Sequence, residues 1–112
     1  MDWTKNTTAS RPTFVLDADP RYMVEQWGLG SWQAYYHGSR INPDHQSLGT
    51  AAEAQKFAET HRNSPEQRII RAQEIIIKFG GVPGDRHRAW VIRSIGAILS
   101  GLEPDFTDPD VP

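Results

Sequence analysis

Arg86, Trp90 and Arg93 follow one another at spacings of four and three residues, which on an α-helix gathers the three side chains on one face. His87 and Arg88 flank them. Guanidinium groups bracketing an indole are the side chains that dominate protein-binding hot spots, so Arg86, His87, Arg88, Trp90 and Arg93 form the candidate partner-binding set. A competing reading buries Trp90 beneath a sheet or a neighbouring helix, because most tryptophans are largely enclosed in folded proteins. The sequence leaves both readings open.

Charge supplies a second candidate chemistry. Residues 60 to 100 hold seven bases (Arg62, Arg68, Arg71, Lys78, Arg86, Arg88, Arg93) against three acids, whereas residues 103 to 112 hold four acids and no base. Such a segment either contacts phosphate, is neutralised by the tail folding back, or is simply a solvated face. Gly81-Val82-Pro83-Gly84 has the G-x-x-G spacing with which KH domains clamp a nucleotide backbone. Pro83 removes one of the donors such a clamp needs, and Asp85 sets a negative charge where phosphate would sit. A turn between two helices is therefore the simpler explanation.

Other chemistries find no footing. The chain has no cysteine, hence no disulfide, thiolate nucleophile or Cys-based metal site. His37, His45, His61 and His87 are scattered without metal-ligand spacing. No nucleophile elbow, P-loop or dinucleotide fingerprint is present. The expectation is a non-enzymatic protein with no catalytic residues, no metal and no cofactor.

Two kinds of element must position these groups. Thr13-Phe14-Val15-Leu16 is strand-like, and Tyr22 to Trp27 and Trp32 to Tyr36 alternate near period two around Gly28-Leu29-Gly30-Ser31, a hairpin signal. Gly38-Ser39 offers another tight turn, after which Arg40-Ile41 or Ser47-Leu48 supplies a short strand, with Asn42-Pro43-Asp44-His45 as loop. From residue 50 the period changes. Thr50 and Glu53 have capping-box spacing before a helix over about 51–61, and Ser64-Pro65 opens a second helix ending at Phe79, where Gly80-Gly81 offers the left-handed conformation of a helix end. Asp85 caps a third helix that runs to Ser100 and ends at Gly101.

In the second helix, Ile69, Ala72, Ile76 and Phe79 form the expected core stripe, flanked by Ile70, Ile75 and Ile77, which leaves Gln67, Arg71, Glu74 and Lys78 to water. In the third, Val91, Ile92, Ile95, Ile98, Leu99 and Leu102 are expected to face it. The resulting fold class is α+β: a small N-terminal antiparallel meander of two to three strands packed with three C-terminal helices.

With 112 residues there is room for one core, assigned to a single α+β domain over residues 13–102. Residues 1–12 read as a flexible arm, and residues 103–112, acidic and Pro-rich, as a tail left disordered or loosely draped. A net charge of -2 gives no global attraction to nucleic acid or anionic membrane. No signal-peptide pattern or membrane-length apolar run is present, and with no cysteine the cytosol is the expected setting.

The stretch Phe79-Gly80-Gly81-Val82-Pro83-Gly84-Asp85-Arg86-His87-Arg88-Ala89-Trp90-Val91-Ile92, continued by Ile95, Ile98, Leu99 and Gly101, resembles the C-terminal signature of small uncharacterised bacteriophage and prophage proteins. There an aromatic-Gly-Gly loop precedes a His-x-Ala-Trp-Val-Ile helix. The similarity covers residues 64 to 101, and Arg93-Ser94 stands where those relatives tend to carry Asp-Gln, so a partner of theirs need not be shared. It implies a phage or mobile-element origin in a bacterial host cytosol and supplies no catalytic residues. The expected function is docking on a host protein, with inhibition of a defence system such as CRISPR-Cas as the target class. The alternative is a nucleic-acid-binding accessory protein using residues 60–100, and self-association as a homodimer is a third reading.

Overall fold

The computed structural model describes residues 1–8, 10–43 and 46–111. Its elements are β1 (Trp3–Asn6), β2 (Thr13–Leu16), β3 (Tyr22–Gly28), β4 (Ser31–Tyr36), β5 (Ser39–Arg40), α1 (Ala51–Arg62), α2 (Pro65–Phe79) and α3 (Asp85–Leu99). The chain forms two compact units, Met1–His61 and Arg62–Pro112, each with its own apolar cluster, where the sequence leads to one domain over 13–102.

In the first unit the strands form an antiparallel meander in the order β1-β2-β3-β4-β5. The α+β class stands, and the expected two to three strands become five. The addition comes mainly from the N-terminal arm, since Trp3–Asn6 pairs with Leu16–Thr13 instead of hanging free. Only Trp3 of that strand is even half-buried, so an edge strand of this kind carries almost no apolar alternation to read.

Alternation along β2, β3 and β4 sends Leu16, Tyr22, Val24, Trp32 and Ala34 to one face of the sheet, where they cluster with Leu48 and with Ala54 and Ala58 of α1. Both alanines are fully buried. The Tyr22 hydroxyl lies 2.8 Å from His61 Nδ1 at the end of α1, which gives the one buried phenol of this core a polar partner. Around α1 the capping box forms: Glu53 N–H donates to Thr50 Oγ1 (3.1 Å), and the Glu53 carboxylate accepts from Gly49 N–H (2.9 Å).

Both candidates for a late strand are used. β5 pairs with β4 across the His37-Gly38 turn, in which both residues have positive φ, and Leu48 makes an isolated bridge to Trp32. Asp44 and His45 of the expected loop lie outside the described residues. Buried Asn42 ties this loop down, its Oδ1 accepting from Ala34 N–H (3.0 Å) while Nδ2 donates to Gln33 Oε1 (2.7 Å) and Gln46 O (2.9 Å).

In the second unit, α2 and α3 run antiparallel. Arg68 near the start of α2 donates to Leu99 O at the end of α3 (3.4 Å), and Phe79 at the end of α2 meets the rings of His87 and Trp90 near the start of α3. α2 begins as expected, with Ser64 Oγ accepting from Gln67 N–H (3.4 Å) and Pro65 in the first turn. Its end differs. Gly80 stays right-handed (φ -66°), and glycine is needed there because a Cβ would meet Ile76 O at 2.5 Å. At α3 the capping residue is Gly84 (φ +124°), and Asp85 is the first helical residue without a capping bond. No helix among the described residues is long and apolar enough to cross a membrane.

Replacing Asn42 with Ala strands the buried Ala34 N–H, so a loss of about 1–3 kcal/mol in urea unfolding is expected. An unchanged midpoint would show that the side chain does not hold the loop.

Candidate functional site

The third helix turns a different face inward from the one its aliphatic residues mark. Its buried residues are His87, Trp90, Val91, Ser94 and Ile98, while Ile92 and Leu99 are 71% and 48% exposed. On α2 the buried arc is Arg71, Ala72, Ile75 and Phe79, and Ile69 and Ile76 are 52% and 53% exposed. Of the two readings of Trp90 the structure takes the buried one, at 1% accessible. Three expectations are corrected: Arg71 is buried instead of solvated, Ile69 and Ile76 leave the core stripe of α2, and Ile92 and Leu99 leave the inward face of α3.

The cause is the tail, which is docked against the helices instead of draped. Trp90 Nε1 donates to the main-chain carbonyl of Asp105 (2.9 Å), and the Phe106 ring stands 5.9 Å from Trp90 and 6.5 Å from Phe79. Phe79 meets Trp90 edge to face at 5.1 Å, and His87 stacks on Trp90 at 6.0 Å. The two ring nitrogens of His87 lie 3.2 Å from Asp110 O and 2.6 Å from Phe79 O. Both are carbonyl acceptors, so a neutral imidazole donates to one of them and an imidazolium to both.

Carboxylates complete the docking. Glu103 takes both terminal nitrogens of Arg62, Nη2 at 3.2 Å, and also faces Arg71 Nη1 at 3.6 Å. Arg93 Nη2 reaches Asp108 Oδ2 at 3.2 Å and Asp110 Oδ2 at 3.8 Å. Within the tail, Asp105 accepts from the Thr107 hydroxyl (2.6 Å) and the Thr107 N–H (2.9 Å), which holds its carboxyl below the ordinary carboxylate value. Because the folded-state value is the lower one, this support for the turn is present at neutral pH and is lost as pH falls through that value.

Of the five expected partner-binding residues, the structure thus places His87 and Trp90 inside and Arg93 on the tail. Arg86 and Arg88 stay exposed, Arg88 in a loose pair with Asp85 at 3.6 Å. The five residues are therefore divided: His87, Trp90 and Arg93 meet the chain's own C-terminal segment, and Arg86 and Arg88 do not. Sequence reasoning missed Arg62 and Arg71 as members of this cleft. The opposed charge of residues 60–100 and 103–112 was the available signal, while the acceptors for Trp90 and His87 are main-chain carbonyls and leave none.

Opposite the tail lies a second surface. At about 100° per residue, Ile69 and Ile76 sit roughly a quarter turn to one side of the buried arc of α2, and Ile92 and Leu99 sit to the corresponding side of that of α3. In an antiparallel pair these sides coincide. The result is an aliphatic flank on the helical hairpin, with Ile77 and Leu102 also exposed beyond it. A shallow, open depression of about 480 Å³ lies elsewhere in the unit, between the α2–α3 loop and Pro109, Asp110 and Val111. Among the described residues no group of three His, Asp or Glu side chains is placed to hold a metal ion.

No family model, curated protein or solved structure matches this chain.

Since Trp90 fills the space between two helices and the tail, Trp90→Ala is expected to lower the unfolding free energy by about 3–5 kcal/mol. Chemical unfolding followed by circular dichroism checks this; a variant as stable as wild type would return the indole to the surface.

Proposed function

We propose that this protein is a non-enzymatic binding protein that docks on a protein of a bacterial host through the aliphatic flank of the α2–α3 hairpin. The carrying observation is the exposure of Ile69, Ile76, Ile92 and Leu99 together on one side of that hairpin. Soluble domains rarely leave contiguous apolar area of this kind uncovered, and where they do it marks a contact surface. The resemblance read in residues 64–101 to phage-encoded proteins is what suggests the host as the source of the partner and a defence system such as CRISPR-Cas as its class. Arg86 and Arg88, exposed at the start of α3, are the members of the original set that remain available to a partner.

The nucleic-acid reading has less behind it. Arg62, Arg71 and Arg93 face carboxylates of the tail, so much of the positive charge of residues 60–100 is already answered within the chain.

The double variant Ile76→Asp/Ile92→Asp changes two exposed positions and is expected to keep its helical signal, since surface substitutions usually move stability by about 0.5 kcal/mol or less. Affinity purification from host lysate followed by mass spectrometry is expected to recover a partner with wild type and at least tenfold less of it with the variant. Identical recovery would remove this flank as the docking surface, and light scattering of both proteins separates a host partner from self-association.

A further inference from the structure

The cleft that encloses Trp90 reads its occupant in a way that does not depend on the occupant being the same chain. Its floor is the edge-to-face pair of Phe79 and Trp90, Arg62 and Arg71 lie buried at one end, and Arg93 stands exposed on the rim. The indole donates to one main-chain carbonyl and the His87 ring faces another, groups that any peptide has. The guanidiniums take carboxylates at positions 103, 108 and 110, and the Phe106 ring leans on the aromatic floor. Main-chain capture plus spaced carboxylates and one aromatic is how linear acidic motifs are recognised by arginine-bearing grooves.

Several features make the occupant exchangeable. Phe106 is 56% exposed and the Arg93 side chain 55% exposed, so the pairs Arg93 makes with Asp108 and Asp110 are of the kind that contribute little individually, whereas Glu103 answers the buried Arg62 and Arg71. Residues 106–110 run through turns closed by Asp105 and Asp108, and no helix or strand anchors the segment. The tail holds its place because it is tethered, at an effective concentration in the millimolar range.

We infer that this cleft is a binding site for an acidic peptide segment of a partner protein, and that residues 103–111 occupy it as a built-in competitor. Tail and partner segment then present the same chemistry: carboxylates to Arg62, Arg71 and Arg93, a carbonyl to Trp90, and an aromatic ring to Phe79. The site is on the flank of the hairpin opposite Ile69, Ile76, Ile92 and Leu99, so it stands or falls independently of the docking surface proposed above.

The test uses the full chain with a weakened tail, Glu103→Lys/Asp108→Lys/Asp110→Lys, and a fluorescein-labelled peptide with the sequence of residues 103–111, followed by anisotropy at low salt. The weakened variant is expected to bind the peptide at least tenfold more tightly than wild type. Adding Arg93→Glu to it, replacing the peptide acids by their amides, or raising the salt is expected to cost tenfold or more. The milder Asp108→Asn/Asp110→Asn chain replaces the triple variant if circular dichroism shows the latter unfolded. Failure of the folded variant to bind, equal binding by wild type, or indifference to Arg93→Glu would each overturn the inference. So would a weakened variant that becomes dimeric by light scattering only when mixed with wild type, because the cleft would then be filled by the tail of a second copy.

Discussion

The indole N–H of Trp90, donated to the carbonyl of Asp105, is the bond around which the second unit is arranged. A tryptophan in the middle of a helix needs both apolar cover and an acceptor for its one donor. Two helices supply the cover on one side, through Phe79, and leave the other side open. A segment with no regular structure closes it. Once the tail lies there, its carboxylates fall beside Arg62, Arg71 and Arg93, and the acidic stretch that seemed unable to order itself is held by what it covers.

That arrangement also decides where the aliphatic residues go. Two helices of 15 residues each and a short tail can bury one arc per helix, and the arc that includes Trp90 and Phe79 has taken that place. Ile69, Ile76, Ile92 and Leu99 are left on the far flank. The hairpin thus has two faces of opposite character, one aromatic and basic and already filled, the other aliphatic and open. The open side is the docking surface proposed above, and the filled side is the one inferred to take an acidic peptide.

The first unit follows more familiar rules. Alternation in β3 and β4, with Leu16 of β2, gives the sheet one apolar face, and Ala54 and Ala58 of α1 belong to the same cluster. Its buried polar groups are matched locally, Tyr22 with His61 and Asn42 with the backbone of β4 and the following loop. Its aromatic and histidine side chains Tyr22, Tyr36, His37 and His61 pack against one another at one end of the sheet.

Local rules in the sequence determined the α+β class, the β3–β4 hairpin, the span of α1, the Ser64-Pro65 start of α2 and the limits of α3, because alternation, capping side chains and glycine act over a few residues. They also set Arg86, Trp90 and Arg93 along one helix without saying which of them would be covered. Only the tertiary structure decided that Trp3–Asn6 is an edge strand, that Arg71 is buried, and that Trp90 faces a tail instead of a partner. Each of those outcomes rests on a contact between residues far apart in the chain. The decisive acceptors are main-chain carbonyls, identical for every amino acid, so no residue type announces them.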